Sequence, residues 1–356
     1  MKRAYLVSLR YNPAHISHLL ANYKLFHDLG YKPSLIINEK YRNNEELSDY
    51  DIYFYSFNML FSLPRPKVIV CWFPSLGNII LLLRFKFNRN IKLLYVFHEP
   101  FDSISNYYES GFSAFKVFKI GLINGISLMT VSICNTILLP SQKAVALYKK
   151  SGSFLNKSFF YLPLMFDDEL EIDLKYSEKK FISYIGTANP DHSFDVFVDF
   201  MIYAIRNDLF PNYNFLIASK SNLSNLLVNS EVQKYVECNK LIIKHNRFMS
   251  TMEINKCYLE SVIVWNAYTR TTQSGVLPKA FMFGCPVLSM KKNVNEFVID
   301  NVTGVYLNDN KDKVEISTAI NQILSNTDSY KYNCRTFFLN TFYFKSMVTK
   351  FKSLLN

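Results

Sequence analysis

Short apolar runs rich in β-branched and aromatic residues alternate along this chain with longer amphipathic segments. The first run, residues 4–9, precedes Asn12 and Pro13, which suit a helix start, and apolar residues then recur at helical spacing as far as Gly30. Further runs with strand character cover residues 34–37, 51–56, 68–72, 93–97 and 136–139. Strands that alternate with helices predict a parallel, doubly wound sheet.

The same alternation begins again after residue 180. A predicted strand over 181–186 ends at Gly186, and a predicted helix follows over about 193–206. The remaining predicted strands cover residues 214–218, 241–244, 262–265 and 286–289. The pattern therefore predicts an α/β protein with two doubly wound, Rossmann-like domains.

The segment 163–180, between the two series, has the character of a linker because it holds Pro163, an acidic cluster and two adjacent lysines. We predict a first domain over 1–166, a second over 167–335, and a C-terminal helix over 336–356 that would cross back to the first domain. Ligands of such sheets bind beyond the carboxyl ends of the strands, so we expect the two domains to face each other across a binding cleft.

Composition and charge narrow the possible partners. With 49% hydrophobic and 19% charged residues, the 356-residue chain is not globally disordered. Residues 1–166 carry 19 basic and 9 acidic side chains, whereas residues 167–356 carry 21 and 20. The first domain should therefore meet an anionic partner. No nucleic-acid recognition motif accompanies this charge, and the basic residues Arg84, Lys116 and Lys119 alternate with apolar ones, which favours an anionic membrane surface.

The spacing of the cysteines, the N-terminal residues and one long uncharged segment indicate the cellular compartment of the protein. The six cysteines form no C-x-x-C pair and no D-x-D motif stands out, so we expect a reducing compartment and no metal site. The opening residues lack a secretory pattern, and we expect a cytoplasmic protein. Residues 120–140 are uncharged and long enough to span a bilayer, but polar residues interrupt them, so we interpret them as a buried helix followed by a strand.

The most specific stretch runs from Ser274 to Leu307. It reads SGVLPKAFMFGCPVL and, after a short gap, NEFVIDNVTGVYL. It resembles the donor-binding signature of GT-B glycosyltransferases, especially the retaining sugar-nucleotide enzymes of family 4. The matching positions are Gly275, Ala280, Gly284, Pro286, Val287, Glu296 and Gly304. The triplet His98-Glu99-Pro100, directly after a predicted strand, is similar to the cleft histidine of the same family.

Three features of the sequence depart from the family pattern. The two family glutamates, eight positions apart, fall here on Thr271 and Lys279. The family's phosphate-binding Arg and Lys are missing from the segment 187–192, and its glycine-rich acceptor loop is replaced by residues 10–13. The donor sugar and the stereochemical course, retaining or inverting, therefore stay open.

The resemblance, together with the chemistry of an anionic donor, predicts which residues bind the nucleotide-sugar. A helix N-terminus offers free N–H groups to a diphosphate, and a glycine lets the phosphate approach the backbone. We expect this helix start at Gln273, Ser274, Gly275 and Val276. The other predicted donor contacts are Gly186 and Thr187 after a strand, Lys220, Arg247 and Lys279 as cations, and Glu296 for sugar hydroxyls.

Glycosyl transfer also needs a hydroxyl nucleophile that loses its proton. His98 is the first catalytic candidate because it stands at a strand end and titrates near neutrality, and Glu99 is the second. An inverting route would use one of them as the base, whereas in a retaining route His98 would orient the donor sugar. Asn12 and Pro13 are the predicted acceptor-side residues.

The resemblance implies a metal-independent glycosyltransferase that needs no cofactor. It would move a sugar from a nucleotide diphosphate donor to a growing surface glycan such as O-antigen or capsule, carried on a lipid at the inner face of the cytoplasmic membrane. The predicted partners are thus the donor, the glycan acceptor and an anionic membrane surface, without nucleic acid. A GT-B sugar-nucleotide epimerase and a non-catalytic, glycan-binding GT-B subunit are the alternatives.

Overall fold

The computed structural model describes residues 2–171, 178–270 and 274–355, and the structural statements below concern these residues. The chain divides into two compact units. The first unit is Met1–Asp167 with Thr341–Asn356, and the second unit is Asp168–Asn340. Each unit is built around its own parallel sheet, which confirms the predicted α/β fold class.

The first unit contains a seven-stranded sheet in the order β3-β2-β1-β4-β5-β6-β7. Its strands are β1 (Lys2–Ser8), β2 (Tyr31–Ile37), β3 (Ile52–Phe54), β4 (Val68–Trp72), β5 (Lys92–Val96), β6 (Thr136–Leu139) and β7 (Ser158–Tyr161). Its helices are α1 (Ile16–Asp28), α2 (Phe57–Ser62), α3 (Leu76–Lys86), α4 (Ile104–Glu109), α5 (Ala114–Ile133), α6 (Gln142–Ser151) and α14 (Phe344–Leu355).

Alternate residues of β1 enter the two cores of this unit. Ala4 and Leu6 pack with side chains of α1 and α14, whereas Tyr5 and Val7 pack with side chains of α3, α5 and α6. A parallel sheet covered on both faces needs apolar residues at successive positions, and this explains why its strands appear in the sequence as continuous apolar runs.

The second unit contains a six-stranded sheet in the order β10-β9-β8-β11-β12-β13. Its strands are β8 (Phe181–Ile185), β9 (Asn214–Ala218), β10 (Leu241–Lys244), β11 (Ser261–Trp265), β12 (Val287–Met290) and β13 (Gly304–Leu307). Its helices are α7 (Phe194–Arg206), α8 (Ser224–Leu227), α9 (Ser230–Glu237), α10 (Thr251–Leu259), α11 (Val276–Met282), α12 (Lys313–Leu324) and α13 (Thr327–Thr341).

The C-terminal segment differs from the prediction of one helix over 336–356. It consists of the end of α13 and the separate helix α14. Between them, the Phe342 carbonyl accepts a hydrogen bond from the Phe166 N–H at 2.9 Å, and the Phe344 N–H donates to the Phe166 carbonyl at 3.0 Å. This strand-like pairing occupies backbone groups that a continuous helix would need. Helix α14 then packs on α1, where the rings of Phe26 and Phe351 lie 5.5 Å apart.

The expectation of a buried helix near residue 120 was wrong. Helix α5 does precede β6, but only one side of it is buried, through Val117, Ser127 and Val131 among others. Phe115 is 78% exposed, and further apolar side chains of α5 also face solvent. The lack of charge in this stretch therefore reflects an exposed apolar face in addition to the core contacts.

Gly304 offers a test of packing in the second unit. A Cβ at this position would lie 2.4 Å from the carbonyl oxygen of Val287, a backbone atom that cannot move away easily. We predict that Gly304→Ala lowers the free energy of unfolding by about 1–3 kcal/mol through overpacking. The measurement is the urea-unfolding midpoint, followed by circular dichroism.

The matched control is Gly125→Ala in α5, where an added Cβ meets no atom within 4 Å. In a helix this exchange favours folding by about 0.5–1 kcal/mol. Equal midpoints for the two variants would show that the close approach at Gly304 does not restrict the side chain.

Candidate functional site

In the first unit, the strand order reverses between β1 and β4, and several polar side chains follow these strands and β5. Asn12 lies after β1, Phe73 after β4 and His98 after β5. The ring of His15 stacks on that of Phe73 with centroids 4.2 Å apart, and Asn12 Nδ2 lies 2.9 Å from His15 Nε2. The reversal thus gathers an amide, two imidazoles and an aromatic ring at one sheet edge, where open α/β sheets bind ligands.

Phe73 has a backbone conformation that is rare for a bulky residue. Its φ is 57°, in the left-handed region, which costs about 1–3 kcal/mol and tends to occur at functional sites. The buried side chain of Asn78 holds the turn, because Nδ2 donates to the Phe73 carbonyl at 2.7 Å and to the Trp72 carbonyl at 3.3 Å. Sequence reasoning did not find Phe73, and no pattern in the sequence indicates its strained backbone.

His98 lines the same pocket as His15, His18 and Phe73. Burial lowers the pKa of His98 from the ordinary value of 6.5, while the nearby Glu99 carboxylate acts in the opposite direction. The ring is therefore neutral at neutral pH and has a nitrogen that can accept a proton. Glu99 is exposed at the surface, so His98 is better placed than Glu99 for proton transfer away from bulk water.

The predicted acceptor-side residues start a turn and not the long helix itself. Pro13 begins a short 3-10 turn, Pro13–His15, and α1 starts after it. Asn12 precedes the turn without capping it through its side chain. Its backbone N–H donates instead to the Tyr41 hydroxyl at 2.7 Å. These contacts fix the loop after β1 at the polar edge of the sheet.

In the second unit, the strand order reverses between β8 and β11, and the predicted donor residues gather there. Gly186 follows β8 with φ of 145°, a region that side chains strongly disfavour. A Cβ on Gly186 would lie 3.5 Å from Val276 Cγ2 and 3.8 Å from the Tyr268 hydroxyl. The start of α11 and the ends of β8 and β11 thus meet closely at a point without a side chain.

Helix α11 starts with Gly275 as its N-cap, and Ser274 precedes it. The Val276 N–H donates to Ser274 Oγ at 3.2 Å. Gly275 has an ordinary helical conformation, with φ of −65°, so space at this position and not an unusual backbone is its relevant property. Gln273 and Thr271 lie outside the residues that the structure describes.

The same edge contains residues that sequence reasoning missed. The ring of His192 stacks on Tyr268 with centroids 4.2 Å apart, and its Nδ1 lies 3.1 Å from the carbonyl oxygen of Thr187. Arg270 and Asp191 are both buried close by, where the Thr269 N–H donates to the Asp191 carbonyl at 3.0 Å. The signal that could have found these residues is their position just after β8 and β11. Arg270 adds a cation, and His192 an imidazole, to an edge of the sheet that lacks the family's Arg and Lys.

Lys279 has a different role from the one predicted. Its ammonium forms a salt bridge with Glu169, and its Nζ lies 3.1 Å from Asn255 Oδ1. Asn255 Nδ2 also donates to Glu169 at 2.8 Å, which closes a ring of three polar side chains. Lys279 is 8% exposed. Its charge is thus balanced by a half-buried carboxylate, and the predicted phosphate contact of Lys279 is corrected to a structural ion pair.

The remaining predicted contacts lie at the surface of the second unit. Arg247 is exposed and forms a two-pronged ion pair with Glu253, and this pair lowers the pKa of Glu253 to about 2. Lys220 is exposed, with Nζ 5.7 Å from the centre of the Phe248 ring. Glu296 is exposed after the buried Asn295. The donor roles of these three residues stay predictions.

Among the described residues, no group of three histidine, cysteine or acidic side chains is placed to hold a metal ion.

Comparison with known proteins gives the class. Residues 179–326 match the family model described as glycosyl transferases group 1. No curated protein matches the chain. This domain match and the fold bear out the predicted resemblance: the chain contains a group 1 glycosyltransferase domain within a two-domain fold of the GT-B type.

Three solved structures show the same fold. HepE from Anabaena, solved with UDP, is 12% identical, with a TM-score of 0.71 over 100% of this chain and 99% of its own. The pneumococcal O-GlcNAc transferase GtfA, solved with UDP and GlcNAc, is 10% identical, with a TM-score of 0.71 over 99% and 98%. Sucrose-phosphate synthase from Thermosynechococcus elongatus is 12% identical, with a TM-score of 0.69 over 99% and 98%.

The ion pair of Lys279 leads to a stability prediction. Lys279→Met should lower the free energy of unfolding by about 3 kcal/mol, because it leaves the half-buried carboxylate of Glu169 without its cation. The double variant Lys279→Met/Glu169→Gln should recover part of this loss. Urea unfolding of both variants and of Glu169→Gln completes the cycle. If Lys279→Met unfolds like the wild type and only weakens binding of UDP, the original phosphate assignment is right.

The pKa of His98 can be tested directly. NMR titration should place its midpoint below 6.5, and Glu99→Gln should move it lower still, because Glu99 raises the pKa. Because the pKa of His98 is lower in the folded protein, the imidazole takes up a proton at a higher pH in the unfolded chain than in the folded chain. The His98 contribution to stability is thus lost as the pH falls below 6.5. An upward shift in Glu99→Gln would contradict this assignment.

Proposed function

We propose that this protein transfers a sugar from a nucleoside diphosphate donor to a growing surface glycan. The single observation that carries the proposal is the group 1 glycosyltransferase domain over residues 179–326, with Gly186 and Val276 in close approach at the strand-order reversal of that domain. HepE and GtfA have each been solved with UDP, and on this analogy a uridine diphosphate sugar is the first donor to test.

The proposed donor contacts follow from the chemistry of a diphosphate. The Gly275 N–H group at the helix start and the backbone of Gly186, which carries no side chain, suit phosphate oxygens. Arg270 supplies a cation beside them, and the His192 imidazole supplies a polar ring; the cation stabilises the leaving group as charge develops. Glu296 is proposed for the hydroxyls of the donor sugar.

The acceptor hydroxyl must lose a proton, and His98 is the proposed acceptor of it. Its neutral ring, lowered in pKa by burial, fits a general base. Asn12 and Pro13 are proposed to contact the acceptor from the loop after β1. We propose a lipid-linked glycan acceptor at the inner face of the cytoplasmic membrane, supported by the net charge of +10 on residues 1–166.

The decisive experiment separates donor binding from turnover. Gly275→Val keeps an allowed backbone conformation but adds a branched side chain where phosphate would approach, so binding of UDP should be lost while the protein stays folded. His98→Gln should leave the affinity for UDP within a few-fold and lower kcat by about 10²–10⁴. Titration calorimetry and a coupled assay for UDP release measure the two effects.

Gly125→Ala in α5, where an added Cβ meets no atom within 4 Å, serves as the control and should change neither quantity. Unchanged UDP binding in Gly275→Val would remove the proposed donor site. UDP binding by the wild type without turnover on any glycan acceptor would favour a non-catalytic GT-B subunit, which the structural use of Lys279 at a family glutamate position also supports.

A further inference from the structure

Helix α5 presents an apolar face to solvent. Phe115 and Phe118 are 78% and 64% exposed, and Leu122 and Met129 are exposed as well. These four residues are separated by three, four and seven positions, which places them along one side of a helix. In a water-soluble helix this side normally carries polar residues.

Helix α3 repeats the arrangement. Leu76, Ile80, Leu83 and the following Phe87 are exposed, at separations of four, three and four positions, and Phe87 is 89% exposed. The opposite sides of α3 and α5 pack into one core on the same face of the sheet, and the two helices also contact each other. Their exposed sides therefore point away from the sheet together.

The short helix α2 extends this surface. Its Leu60 belongs to the same core, whereas Phe57 and Phe61, four positions apart, are exposed. We call the exposed sides of α2, α3 and α5 the apolar face. Soluble proteins usually expose single, scattered apolar residues, whereas the apolar face groups many of them on neighbouring helices. Such grouped apolar surfaces mark interaction sites.

The charges around the apolar face have one sign. Arg84 and Lys86 lie on α3, and Lys116 and Lys119 lie on α5. Neither residues 52–98 nor residues 110–166 contain a single aspartate or glutamate, while together they hold 12 lysines and arginines. An apolar helix side bordered by cations, without anions, matches the chemistry of an anionic lipid surface.

We propose that the apolar face docks onto an anionic bilayer. The phenylalanine and leucine side chains of α3 and α5 would enter the boundary between headgroups and acyl chains, and Lys116, Lys119 and Lys86 would meet the lipid phosphates. This goes beyond electrostatic attraction of a basic domain, because it assigns an inserted face and names the side chains that enter the lipid.

Helix α5 lies along the membrane surface in this proposal and does not cross it. Among the described residues it is the one helix long and apolar enough to span a bilayer. However, Val131 and Ile133 are part of the core, and Ser127 Oγ lies 3.3 Å from the Tyr95 hydroxyl of β5. The chain enters β6 only three residues after the helix ends. A spanning helix would have to give up all these contacts.

The charge pattern also favours lipid over a second copy of this chain. A symmetric dimer through the apolar face would bring Lys116 and Lys119 of one copy towards the same basic surface of the other, without acidic partners on α3 or α5. Like charges at a desolvated contact oppose association. An anionic bilayer removes this repulsion.

The inference extends the proposed function, since a lipid-linked acceptor would be met at this surface, but the docking itself does not depend on the sugar chemistry. It therefore has its own test. The full chain is floated with phosphatidylcholine vesicles and with vesicles containing about 30% phosphatidylglycerol, at low salt and at about 0.5 M salt, where surface charges are screened.

The wild type should bind the anionic vesicles and keep part of this binding at high salt, because apolar insertion is not screened. Phe115→Ser/Phe118→Ser should lower the partition coefficient at least about tenfold at either salt. Lys116→Gln/Lys119→Gln should lower it mainly at low salt. Met252→Ser is the control, as it removes an exposed apolar side chain (79% exposed) from the second unit.

Insertion has a direct readout in Leu122→Trp, whose emission should shift to the blue on binding anionic vesicles. The proposal is overturned if the phenylalanine variant binds like the wild type or if Met252→Ser loses binding equally. Complete loss of wild-type binding at high salt would also overturn it. So would a dimer in sedimentation that Phe115→Ser/Phe118→Ser converts to a monomer without any vesicle binding.

Titration with UDP separates this result from the proposed function. Equal urea-unfolding midpoints, followed by circular dichroism, in the wild type and the phenylalanine variant show that a loss of vesicle binding is not a loss of folding. Vesicle binding by a wild type that fails to bind UDP would overturn the glycosyl donor site and leave the apolar face supported.

Discussion

In a parallel sheet, the helices that follow two neighbouring strands can pack on opposite faces of the sheet, which leaves a crevice beyond the carboxyl ends of these strands. This happens where the strand order reverses, between β1 and β4 in the first unit and between β8 and β11 in the second. The stacked pair His15 and Phe73 lies at the first reversal, and Gly186 with Tyr268 lies at the second. Neither site contains a continuous motif, because each is assembled from the ends of separate strands.

A buried charge is tolerated in the second unit only because it is fully partnered. Lys279 lies in a helix whose other side chains are almost all buried, and Glu169 reaches it from the segment before β8. An ammonium in this place without a carboxylate would carry a desolvation cost of several kcal/mol. The helix start at Gly275 and the ion pair at Lys279 lie one turn apart, so packing of the ion pair also fixes the position of the proposed donor site.

Helices α3 and α5 are each apolar on two sides, which is unusual for helices at the surface of a soluble protein. One side of each helix closes the core over the sheet, and the other side is apolar as well, bordered by lysine and arginine. A helix that is apolar all round is expected inside a large protein or in a membrane. The second apolar side of each helix does not contribute to the protein core, and the partner that we propose for it is lipid.

Much of the architecture was determined by the sequence alone. Continuous apolar runs such as residues 68–72 predicted doubly covered parallel strands, and the stretch from Ser274 to Gly304 predicted the class of the second domain. These features are local, so they survive in a linear pattern. Edge strands β7 and β13 were missed: Ser158–Tyr161 is only partly buried, and Gly304–Leu307 begins with glycine, which strands disfavour.

Only the tertiary structure decided which side chains meet. It paired Lys279 with Glu169, 110 positions away, and stacked His192 on Tyr268. It also left the long apolar helix α5 largely exposed, although the uncharged stretch after residue 120 suggested burial. Composition records how apolar a residue is, but burial and ion pairing depend on which distant segments the fold brings against it.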